Sequence, residues 1–74
     1  HPIVQEFPEI LDKIKDLYHH NDEFQVLLNS YTELDTKVYK IETDEELATD
    51  EELTHYRKDR VFLKDEIYNF LKNN

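Results

Sequence analysis

The 74-residue chain has no glycine, cysteine, methionine or tryptophan, and only two prolines. Without glycine there is no Gly-rich loop to cradle a phosphate, and without cysteine there is neither a disulfide framework nor a thiolate metal site. Long apolar runs are missing as well. None approaches the roughly 20 residues that span a bilayer, and no basic segment leads into an apolar stretch as an export signal would. A soluble, cytoplasmic protein without a membrane role is therefore expected. Positive charge is scarce: nine Lys and Arg stand against 18 Asp and Glu, for a net charge of -9. Such a balance repels nucleic acid phosphates and anionic headgroups at long range and favours protein partners.

What is present is periodicity. The length allows one domain, residues 1–74, and a chain this short buries only about 60% of the surface it exposes when unfolded. After Phe7, Pro8 opens a stretch in which Ile10, Leu11, Ile14, Leu17 and Tyr18 share one helical face, with proline placed where its missing N–H is harmless. This predicts a first helix over about 8–20. Asn21 reads as the N-cap of a second helix over about 22–42, with Asp22 and Glu23 in its first turn. A break at Asn21 and a helix continuous through His19, His20 and Asn21 both remain open. The phrase Thr-Asp-Glu-Glu-Leu occurs twice, from Thr43 and from Thr49. The second is favoured as a capping box, opening a third helix over about 50–72.

The second and third helices carry the same heptad. Phe24, Leu27, Tyr31, Leu34, Val38 and Ile41 recur at alternating spacings of three and four, as do Leu53, Tyr56, Arg60, Leu63, Ile67 and Phe70. Laid in opposite directions, they match Phe24 with Phe70, Leu27 with Ile67, Tyr31 with Leu63, Val38 with Tyr56 and Ile41 with Leu53. Charges match too: Asp35 and Glu42 fall near Arg57 and Lys64, and Lys37 falls opposite Asp59. The expected fold is all-α, an antiparallel two-helix coiled-coil hairpin with a shorter N-terminal helix. Arg60 interrupts the seam beside Leu34, and Asp35 is its expected partner, a polar pair that fixes register.

These residues resemble a known family. Phe7-Pro8-Glu9, Asn21, Phe24, Leu27, Leu34-Asp35 and Val38, then Arg57-Lys58, Arg60-Val61 and Leu63-Lys64-Asp65-Glu66-Ile67, look like the YdcH family of small bacterial proteins. The likeness spans about residues 7 to 71. It implies a bacterial, cytoplasmic helical hairpin of unknown function and carries no catalytic residue. Tyr31 stands where the family usually has histidine, and Asp22 where proline often follows the asparagine.

Features that could carry chemistry have simpler readings. Residues 42 to 52 hold seven carboxylates and no lysine or arginine, yet they lack the spacing and the glycine of a calcium loop. They read as a solvated turn. His19 and His20 diverge by about 100 degrees on a helix and cannot face one ion together. His55 has no second ligand at useful spacing. Arg57, Lys58, Arg60 and Lys64 form a basic stripe, interrupted by Asp59, Asp65 and Glu66, which reads as intramolecular pairing before nucleic acid contact. Ser30 is the lone serine and has no histidine within reach. A two-helix hairpin offers no deep cleft in which to desolvate a carboxylate. No enzyme activity, metal or cofactor is expected.

Apolar residues outside the seam are more informative. Leu28, Val61, Phe62, Tyr68 and Leu71 lie beside or behind it, and the first helix can cover only part of that area. An exposed apolar patch of this kind marks association, so the expected function is a protein-interaction or assembly module, self-associating as a dimer or four-helix arrangement. A nucleic-acid-associated regulator using the basic stripe is the alternative.

Overall fold

A computed structural model describes the backbone of residues 2–73 and the side chains of residues 8–73. It contains three helices, α1 (Pro2–His20), α2 (Asp22–Glu42) and α3 (Asp50–Asn73), and no strand among the described residues.

The first helix begins earlier than its sequence suggests. Pro8 lies inside α1 rather than at its start, and Pro2 takes the first helical position, where proline costs no hydrogen bond. In the interior, Pro8 forgoes the bond to the carbonyl four residues earlier. A proline preceding an amphipathic run resembles a helix start, which is why the boundary misleads. Phe7 and the residues before it lie outside the described side chains.

Asn21 separates α1 from α2 and settles the question of continuity. Its backbone is extended (φ -137°, ψ 109°) and its Oδ1 accepts the Phe24 N–H at 3.0 Å. Its own N–H donates to the Leu17 carbonyl at 2.8 Å, while its carbonyl accepts from Gln25 at 3.0 Å. One residue thus ends one helix and caps the next, leaving few orphan groups at either end.

The exit from α2 solves a problem created by the lack of glycine. Helices commonly stop with a left-handed residue whose neighbours bond back to the last carbonyls, and glycine usually occupies that position. Asp44 occupies it here, with φ 62°. The Asp44 N–H donates to the Ile41 carbonyl at 3.2 Å and the Glu45 N–H to the Lys40 carbonyl at 2.8 Å. Asp and Asn are the non-glycine residues that tolerate this region best. Thr43 adds a hydroxyl bond to the Tyr39 carbonyl at 2.9 Å.

The opening of α3 is a reciprocal cap. The Glu52 N–H donates to Thr49 Oγ1 at 3.0 Å, and the Thr49 N–H donates to Glu52 Oε1 at 2.9 Å. Thr43, the start of the earlier copy of the phrase, is instead the C-cap of α2.

The core is narrow. Phe24 and Val38 are fully buried, joined by Ile41 and Ile67. The Phe24 and Phe70 rings sit 5.3 Å apart at 55°, within the favourable range for an aromatic pair. Contacts between α2 and α3 run from Phe24 with Phe70, through Asp35 with Arg60, to Glu42 with Arg57. α1 packs on α2 and ties down α3 through Lys13 Nζ, which donates to the Leu71 carbonyl at 2.5 Å. Tyr18 donates its hydroxyl to Asn29 Oδ1 at 3.0 Å. The resulting body measures 39 × 31 × 18 Å, with a radius of gyration of 14.6 Å. A compact chain of this length would have about 11 Å, so the molecule is a flattened plate with much of its apolar surface near solvent.

Candidate functional site

The two heptads meet between α2 and α3 at the Phe24–Phe70 ring pair. Phe24, Val38, Ile41 and Ile67 are buried, and Leu27, Tyr31, Leu34, Leu53, Tyr56, Leu63 and Phe70 are half-buried. Arg60, also half-buried, donates from Nη1 to Asp35 Oδ1 at 3.0 Å. Two other charges follow a different pattern from the sequence expectation. Lys37 does not meet Asp59: its Nζ donates to Glu46 Oε2 at 2.6 Å and lies 5.2 Å from the Tyr56 ring centre. Asp59 instead lies one helical turn from His55, at 3.2 Å. Lys64 turns toward the Tyr68 ring, 5.9 Å away, rather than toward Asp35. Neither lysine forms an ion pair with its expected cross-helix acid, and a heptad diagram contains neither the loop nor the rotamers.

The basic stripe is mostly engaged. Arg57 donates to Glu42 Oε2 at 2.6 Å and Arg60 to Asp35. Lys58 makes no ion pair among the described residues, and with Thr54, Arg57 and Val61 it borders an open hollow of about 380 Å³.

The acidic turn is partly neutralised from within the chain. Glu42 meets Arg57, Glu46 meets Lys37, Glu45 Oε2 accepts from Thr43 Oγ1 at 3.1 Å, and Glu52 closes the cap. The Thr49 hydrogen bonds hold the Glu52 carboxyl below the usual carboxylate range. The bond to Glu46 raises the Lys37 ammonium above its ordinary value, against a smaller opposing effect of burial. His20 Nδ1 lies 3.2 Å from Asp16, on the same exposed face of α1. Among the described residues no group of three or more His, Cys, Asp or Glu side chains could hold a metal ion. No described helix is long and apolar enough to cross a membrane.

The patch residues fall into two sets. Leu28 and Leu71 are half-buried and, with Ile10, Ile14, Tyr31 and Tyr68 among others, line an apolar groove of about 270 Å³ where α1 crosses the other helices. Val61 and Phe62 are 56% and 61% exposed on α3 away from that groove, and Tyr68, 59% exposed, stands at its edge. Heptad reading overlooked Leu47, which is 94% exposed among the carboxylates of the turn, and Val26 and Tyr39 on α2. Their signal was present as apolar residues outside the seam positions.

Fold and surface together define a small all-helical protein whose most prominent chemical feature is an exposed apolar face bordered by charge. Residues 24–71, which span almost all of α2 and α3, match the family described as protein of unknown function (DUF465), and the chain belongs to that family. No curated protein and no solved structure matches the chain.

Proposed function

We propose that this protein is a protein-interaction or assembly module that acts by surface recognition and performs no catalysis. In this reading α2 and α3 work as an antiparallel coiled-coil hairpin, the arrangement implied by the YdcH resemblance. The graded contacts from Phe24 with Phe70 to Glu42 with Arg57 support it. α1 braces the open end of the hairpin, and the module works in the cytoplasm, as the YdcH resemblance implies.

The observation that carries the reading is the exposure of Val61 and Phe62, side by side on a helix with no third element over them. Fully burying such a side chain is worth about 1.5–3 kcal/mol. A partner that covered them, together with Tyr68, Leu28 and Leu71, would gain most of its binding energy there. Nucleic acid recognition through Arg57, Lys58, Arg60 and Lys64 has less support, since both arginines are held by carboxylates of α2.

A Val61→Asp, Phe62→Asp variant tests the proposal in a pull-down from lysate and in sedimentation equilibrium. Partners or self-association should be lost while helicity by circular dichroism is kept. Binding that persists in the variant, or that collapses between about 50 and 200 mM salt as phosphate contacts do, would defeat it.

A further inference from the structure

The outer face of α3 repeats every seven residues, and its charges alternate. Glu51, Lys58, Asp65 and Lys72 succeed one another one heptad apart along its crest, all exposed. Between them lie Thr54 with His55, Val61 with Phe62, and Tyr68 with Asn69, again all exposed. None of the four crest charges makes an ion pair among the described residues.

We propose that this face binds a second copy of the same chain, α3 antiparallel to α3, about a two-fold axis between Val61 and Phe62. The inference rests on the interaction-module reading above and names the partner. A two-fold interface must be self-complementary, since each contact occurs twice. In this register Val61 of one protomer meets Phe62 of its partner, and Phe62 meets Val61. Moving outward, Lys58 meets Asp65 and Glu51 meets Lys72. His55 comes level with Tyr68, and Thr54 with Asn69.

The competing registers fail on the same charges. A slip of one heptad in one direction puts Lys58 on Lys58 and Glu51 on Asp65. A slip in the other direction puts Asp65 on Asp65 and Lys58 on Lys72. Parallel pairing sets every charge against its own copy. Like charges brought together across an interface cost several kcal/mol and so exclude wrong alignments. Each chain carries a net charge of -9, and the resulting mutual repulsion is screened over about 8 Å at physiological salt, while contacting pairs are screened less. The apolar centre supplies attraction and the crest charges supply alignment.

Charge reversal separates this register from association of any other kind. Wild-type protein should dimerise in sedimentation equilibrium at micromolar to submillimolar concentration. Lys58→Asp and Asp65→Lys, each introducing two like-charge contacts per dimer, should each weaken dimerisation by about tenfold or more. An equimolar mixture of the two variants should recover a dimer, because every crest contact is again between opposite charges, and the double variant should recover it alone. Circular dichroism should give the same helicity throughout. A wild type that stays monomeric overturns the proposal and leaves docking to a different protein to the Val61→Asp, Phe62→Asp pull-down. Dimers that ignore both single reversals, or a mixture that fails to recover, overturn the register while leaving the interaction module standing.

Discussion

Asp44 and Glu52 show how much single residues decide in a chain without glycine. Asp44 takes the left-handed position that ends α2, a conformation that costs an ordinary L-residue about 1–2 kcal/mol. Asp44→Val should therefore lower stability by about 1–2 kcal/mol in a urea melt, because a β-branched side chain tolerates positive φ worst, whereas Asp44→Gly should not. Glu52 makes the other turn residue sensitive to acid. Its carboxyl is held below the usual range by Thr49, so its contribution is present above the unfolded-state pKa and is lost as pH falls through the folded-state pKa. The difference in thermal midpoint between wild type and Glu52→Gln should be present at pH 7 and shrink as pH falls below the ordinary carboxylate range. Lys37 behaves oppositely. With its ammonium raised by Glu46, its contribution holds below the unfolded-state pKa and fades as pH rises through the folded-state value.

At the scale of elements, the boundaries written in side-chain chemistry could be read directly. Asn21, and Thr49 with Glu52, each satisfy orphan N–H groups with atoms only a few residues away, so a local sequence signal sufficed. Removing one such cap typically costs about 1 kcal/mol. Thr49→Ala should lower the stability measured in a urea melt by that amount, and Thr43→Ala, outside any capping box, should lower it less. The start of α1 could not be read the same way, because proline suits both a first turn and a tolerated interior position. Lys37 and Lys64 were likewise misplaced. Their partners depend on where a loop carboxylate and a neighbouring ring come to rest, and heptad spacing describes neither.

As a whole molecule the protein has little core to spare. Phe24 is fully buried and packs its ring at a tilt against Phe70 between α2 and α3. Truncating a buried phenylalanine typically costs about 3–5 kcal/mol, a large share of the total for a chain of this size. Phe24→Ala should leave the monomer largely unfolded at 37 °C by circular dichroism, while Val26→Ala, at an exposed site, should be nearly neutral. A flattened plate with so small an interior gains stability from anything that covers its faces, so ligand-free melts of this protein should depend on its concentration if copies associate.

The sequence by itself determined the three helices, the caps at Asn21 and Thr49 and the Arg60–Asp35 pair, because apolar periodicity and capping act over one or two turns. Only the tertiary structure decided which apolar residues α1 covers and which it leaves to water. That choice follows from where α1 crosses the other two helices: Leu28 and Leu71 line its groove, while Val61 and Phe62 lie farther along α3, out on its open side. The angle at which one helix leaves Asn21 is a property of three packed bodies, and no spacing along the chain encodes it.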